Sequence, residues 1–247
     1  MRGPVVVGPA AGPALGPAPV SVPGTSGAPG ARLPVPPGAE GAALVHARLA
    51  RLVPWARTVA PAWLDAAERA RRDRLRRAAD RDAFEARRCL LRAVLAARLG
   101  TDPAAVPIAP LPGPAGRHGK PGVPGVHFSL SSSGEHVLLA TGPRELGADL
   151  ETVPSLAAAR QVAAVLHPEE QRALARVRRG RRARATTVVW VRKESLLKAM
   201  GTGLSRDPAL DLVGAGPEPA RPVPGWRTLD LEGLPRTVRA ALTVRAD

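Results

Sequence analysis

Residues 146 to 151 read Leu146-Gly147-Ala148-Asp149-Leu150-Glu151, and their alternating apolar pattern predicts a short strand. Moved back by 102 positions, this stretch falls on Leu44-Val45-His46-Ala47-Arg48-Leu49, inside a second alternating run, Ala43 to Leu52. Each run is followed by two helix signals. After the first, Leu64-Asp65 opens a helix with Glu68 at capping-box spacing, and a second helix is predicted from about Asp80 to Leu99, closed by Gly100. After the second, His167-Pro168-Glu169-Glu170 opens a helix with proline in its first turn, and another is expected from Thr186 to Met200, ending at Gly201. Further strands are expected at Val126 to Ser131, His136 to Ala140, Trp226 to Leu231 and Thr237 to Val244. The repeated order predicts an α/β (α+β) fold of two pseudo-symmetric lobes, each a small sheet packed with helices, with the active site in the cleft between them.

Working outward, residues 1–40 hold ten prolines and eight glycines and no acid before Glu40. Such a segment buries too little apolar surface to offset its ordering entropy, so a disordered tail is expected there. The expected lobes then cover 41–145 and 146–247. Cys89 is the only cysteine, which leaves no disulfide framework or cysteine metal site and points to a reducing, cytoplasmic setting. No uninterrupted apolar run long enough for a membrane span occurs.

The formal net charge is +15, so an acidic or phosphorylated partner is expected. A basic nucleic-acid-binding protein is the alternative from another class. Against it, the Arg-rich stretch 69–98 is interleaved with Asp73, Asp80, Asp82 and Glu85, and the chain has only two Phe, four Trp and no Tyr for base stacking. Among 36 basic residues only Lys120, Lys193 and Lys198 are lysines. Lysines that persist in so Arg-rich a chain mark places where an ammonium and a guanidinium are not interchangeable.

Asp149 and Glu151 lie at i and i+2 of the predicted strand, on one face, where two like charges need compensation by a cation, an arginine or a proton. By themselves they read more readily as two solvated carboxylates on a sheet face. Trp190, Lys193, Glu194, Leu197 and Lys198 follow helical spacing and share a face, so Glu194 becomes a third carboxylate with Lys198 one turn beyond. An oxygen-only set of Asp149, Glu151 and Glu194 suits Mg²⁺. Gly119-Lys120-Pro121 and the serine-rich run Phe128 to Gly134 add a third lysine and a candidate anion nest, although Ser-Ser-Gly also reads as an ordinary hairpin turn.

Together these marks resemble the 4′-phosphopantetheinyl transferases of the surfactin-synthetase-activating type. The resemblance rests on Leu-Gly-Ala-Asp149-Leu-Glu151, Trp190-x-x-Lys193-Glu194-x-x-x-Lys198 leading to Gly201-Thr-Gly-Leu-Ser205, Gly119-Lys120-Pro121, and Asp80-Arg-Asp-Ala-Phe84 leading to Leu-Leu-Arg92. It implies transfer of phosphopantetheine from coenzyme A to a serine of an apo acyl or peptidyl carrier protein, with release of adenosine 3′,5′-bisphosphate. Asp149, Glu151 and Glu194 would hold Mg²⁺, and Lys198 would contact the diphosphate. Arg69, Arg92, Lys120, Ser131, Ser132 and Lys193 would lie toward coenzyme A. Glu194 or a metal-bound water is the implied base, with Glu170 a weaker candidate, and a monomer is expected. The chain departs from the family in the serine run, where Ser129 stands for Asn and Ser132 for His. This departure leaves a non-catalytic member of the fold as a further alternative. Arg176, Arg178, Arg179, Arg181, Arg182 and Arg184, expected between the two C-terminal helices, would steer an acidic carrier protein.

Overall fold

A computed structural model describes residues 30–110, 121–220 and 223–246. Strand β1 (Ala31–Arg32) and strand β2 (Ala43–Arg48) precede helices α1 (Leu49–Trp63), α2 (Ala66–Asp73) and α3 (Ala78–Leu99). Two short strands, β3 (Ala109–Pro110) and β4 (Pro121–Gly122), pair with each other, and the hairpin β5 (His127–Ser133) and β6 (His136–Gly142) follows. Then come β7 (Leu146–Thr152), helices α4 (Leu156–Ala163), α5 (Pro168–Arg176) and α6 (Arg179–Met200), and strands β8 (Trp226–Asp230) and β9 (Val238–Arg245).

The first sheet has the order β1-β2-β6-β5 and the second β7-β9-β8, all antiparallel. This is a mixed α+β architecture of small antiparallel sheets packed with helices. The order differs from the expected one, because β2 and β7 are each followed by three helices and not two, the third being 22 residues long in both cases.

Strand β6 explains why the two sheets stay together. Val137 and Leu139 point into a core shared with α1 and α3, while Leu138 and Ala140 point the other way, against Ala148 and Leu150 of β7 and Ala240 and Leu242 of β9. A strand buried on both faces carries a continuous apolar run, here Val137 to Ala140. A third cluster gathers Leu166, Leu174, Val189, Leu196 and Val213 around α5 and α6.

Three expectations need correction. The tail reading covers too much: residues 1–29 lie outside the described part, but Leu33 and Ala39 are buried in the second core and Ala31–Arg32 pairs with β2. The strand expected from Ala43 to Leu52 stops at Arg48, where α1 begins. That helix buries Leu52, Ala56 and Ala60 at i, i+4 and i+8, a face whose alanines carry little hydrophobic signal and whose sequence holds Pro54 and Pro61. Helix α6 starts at Arg179 rather than Thr186, so the arginine cluster is not a linker between helices. Arg176 ends α5, Arg178 occupies the N-cap position of α6 without a side-chain capping bond, and Arg182 donates to the Ala175 and Val177 carbonyls, completing the C-terminal end of α5.

Candidate active-site cleft

Gly147 sets the height of the site. The backbone of α6 lies directly on β7 there: a Cβ on Gly147 would overlap the Ser195 carbonyl oxygen and the Ala199 amide, and would stand 2.8 Å from the Lys198 carbonyl carbon. Only a residue without a side chain permits this approach. It brings Glu194 and Lys198 of the helix down onto Asp149 and Glu151 of the strand.

Asp149 is 2 % exposed. Its Oδ1 accepts from Ser131 Oγ at 2.7 Å and from Lys198 Nζ at 2.5 Å, and Lys198 also donates to Ser131 Oγ at 3.1 Å. Its Oδ2 is buried with no hydrogen-bond partner. Burial raises the Glu194 carboxyl above the ordinary carboxylate range, with Asp149 and Glu151 adding to the shift and Lys198 opposing it. Burial likewise raises Glu151, with Asp149 adding and the Ser133 hydrogen bond opposing. Three carboxylates therefore feel one another's charge around a single ammonium. Among the described residues no three acidic, His or Cys side chains converge on one metal-sized point. The donor chemistry nonetheless fits a hard divalent cation, since all donors are oxygens and Asp149 Oδ2 is an open acceptor that water does not reach.

The serine run is a strand, not a phosphate-wrapping turn. Ser129, Ser131 and Ser133 face β7 and bind its main chain: Ser129 Oγ accepts from Ala148 N at 2.9 Å and donates to its carbonyl at 3.2 Å, and Ser133 Oγ accepts from Thr152 N at 3.1 Å. These hydroxyls fasten the edge of one sheet to the edge of the other. Ser132 points the opposite way, is exposed, and shares a face with Phe128 and Leu130.

A cavity of about 480 Å³ lies between α3, β5 and the turn after α6. That is large enough for a sizeable small molecule. Its cations are Arg71, Arg87, Arg88 and Lys198, and its apolar lining includes Phe84, Leu91 and Leu130. Arg71 and Arg88 stand 6.0 and 5.8 Å from the Phe84 ring centroid. Burial lowers the pKa of Arg87 and Arg88, and for Arg88 the neighbouring Arg71 and Arg92 push in the same direction while Glu68 opposes. Crowded, partly desolvated positive charge of this kind is relieved by an anionic ligand.

The residues expected near coenzyme A divide sharply. Ser131 joins the Asp149–Lys198 cluster. Lys120 lies outside the described residues. Arg69 is exposed and donates to the Leu64 carbonyl. Arg92 is 1 % exposed and is spent on structure: it bonds Glu68 and Asp65 at 2.8 and 2.9 Å and the carbonyls of Pro103, Ala104 and Val106. Lys193 is fully buried against Glu170, which in turn is 1 % exposed and cannot serve as a base for a substrate in the cleft. The arginines that line the cavity are instead Arg71, Arg87 and Arg88. The signal for two of them was present, because Arg87, Arg88 and Leu91 follow Phe84 at i+3, i+4 and i+7.

Fold and site thus define an α+β protein whose cationic cleft ends at a buried cluster of carboxylates, a lysine and a serine. Residues 145–220, which contain those carboxylates and Lys198, match the family model of the 4′-phosphopantetheinyl transferase superfamily. No curated protein matches the chain. Among the described residues no helix is long and apolar enough to cross a membrane.

Proposed function

We propose that this protein transfers 4′-phosphopantetheine from coenzyme A to a serine hydroxyl of an apo acyl or peptidyl carrier protein, releasing adenosine 3′,5′-bisphosphate. The match over 145–220 supports the reaction in general. The observation that carries it to this cleft is Asp149, bonded through one oxygen to the cavity-lining Lys198 while its other oxygen is buried without a partner.

Arg71, Arg87 and Arg88 would hold the phosphates of the nucleotide end, with Phe84 and Leu91 against its apolar surfaces. Lys198 would face the diphosphate, and Ser131 keeps Lys198 and Asp149 aligned. Asp149, Glu151 and Glu194 would hold a magnesium ion, which supplies neutralisation of the charge that builds on the diphosphate. Glu194 accepts the proton of the attacking serine as the serine oxygen forms its bond to the pantetheine-bearing phosphorus. The bond from that phosphorus to the bridging oxygen breaks, and its electron pair leaves on adenosine 3′,5′-bisphosphate. The arginines of 176–184 that are not engaged in capping α5 would attract an acidic carrier.

The test is incubation with coenzyme A, Mg²⁺ and an apo carrier protein, read by mass spectrometry for phosphopantetheine on the carrier. Product that disappears with EDTA and with Asp149→Ala supports the reading. Absence of product with carriers of several types refutes it.

A further inference from the structure

Two consecutive cations of α6, Arg192 and Lys193, are both 0 % exposed. Neither lines the cleft. Arg192 bonds Asp230 at 2.8 and 2.5 Å and the carbonyls of Gly214, Gly216 and Pro217. Lys193 reaches the two oxygens of Glu170, at 3.2 and 3.0 Å, and the Asp211 carbonyl. Glu170 also accepts from the backbone nitrogens of Val213 at 2.7 Å, Gly214 at 3.1 Å and His167 at 3.1 Å. Arg206 closes the same loop onto Asp211 at 2.7 and 2.9 Å. The chain held in this way is the continuation of Gly201, Thr202, Gly203 and Leu204, which form one wall of the cleft.

We infer that Lys193 is a positioning residue: with Glu170 it clamps the 206–214 loop to α6 and thereby holds the 201–204 wall in place for the nucleotide substrate. The effect on substrate rests on the proposed function, whereas the clamp itself does not. An ammonium carries three donors on one compact atom, and here it meets two carboxylate oxygens and one carbonyl. A planar guanidinium of larger volume cannot occupy this buried position in the same way, which accounts for a lysine in an otherwise Arg-rich chain. The requirement separates the clamp from a phosphate contact, where arginine is a good substitute.

The test uses the full chain carrying Lys193→Arg and, separately, the double replacement Lys193→Met with Glu170→Met. The double replacement removes both buried charges together, so that no uncompensated charge stays buried as it would after a single removal. Amide exchange is followed at residues 202–204 and 211–214, with α6 residues 189–197 as the control for intact folding. Coenzyme A affinity is measured by titration. Both variants are expected to speed exchange at 202–204 and 211–214 by about tenfold or more with α6 unchanged, and to weaken coenzyme A binding by about tenfold. Lys193→Arg that binds coenzyme A like the parent overturns the inference, as does loop exchange that stays slow in the double variant, or fast loop exchange with undiminished affinity. If the parent protein binds no coenzyme A, the proposed function fails, and exchange at 202–204 alone then decides the clamp.

Discussion

Replacing Gly147 with alanine tests how the site is assembled. The new methyl carbon would stand 2.8 Å from the Lys198 carbonyl carbon, whereas ordinary contact begins at 3.4 Å. That atom alone forces α6 and β7 apart by about 0.6 Å, and the overlaps with Ser195 and Ala199 demand more, because close-packed backbone cannot give locally. Overpacking of this kind costs roughly 1 to 3 kcal/mol. For a chain of this size that is a fall in Tm of about 2 to 12 °C. The rate should suffer more than the stability: Glu194 and Lys198 ride on the displaced helix, and a misplacement near 1 Å costs on the order of 100-fold. Gly180 is the control, since a Cβ there meets nothing within 4 Å. Gly180→Ala, near the exposed start of the same helix, is expected to stabilise by up to about 1 kcal/mol. Urea unfolding and the mass-spectrometric transfer assay read both quantities. A Gly147→Ala protein with the parental midpoint and rate would falsify the close approach as the basis of the site.

Other perturbations separate ligand contacts from structural ones. Arg87→Ala should raise the KM for coenzyme A with little change in folding midpoint, and the difference from the parent should shrink as salt is added; an unchanged KM removes it from the substrate site. Arg92→Ala should behave oppositely, destabilising the fold by about 3 to 5 kcal/mol because Asp65 and Glu68 lose their buried partner, as measured by denaturant unfolding. His46 and His136 stack with ring nitrogens 2.9 Å apart, and burial lowers both pKa values below the usual 6.5, with Arg48 adding to each shift. The unfolded chain therefore binds protons more readily than the folded one, so this contribution is complete above pH 6.5 and is lost as pH falls below it toward the lowered values. His136→Asn should flatten that part of the stability curve. Cys89, whose thiol burial pushes up to about 12, should resist alkylation until the protein unfolds.

Much of the secondary structure could be read because its signals are local. The Asp65–Glu68 and His167–Glu170 capping boxes, the left-handed Gly100 and Gly201 that end the long helices, and the alternation of β7 all act within a few residues. The approach to α1 alternates like a strand and the helix holds Pro54 and Pro61, and α4 is only eight residues long, so neither is evident in the sequence. The acidic residues of the site were legible as well, since strand and helix periodicity put Asp149 with Glu151 and Glu194 near Lys198. Spacing along one helix could not say which cations face substrate. Arg92 and Lys193 look like binding residues in the chain, yet each lies where buried carboxylates from another element need a counter-charge. Arg71, Arg87 and Arg88 face the cavity because α2 and α3 are packed so that this side remains uncovered. Local chemistry thus determined the elements and the carboxylates by sequence alone. The division of the cations between core and cleft was decided by tertiary packing, because burial makes pairing obligatory while an open cavity leaves charge available for a ligand.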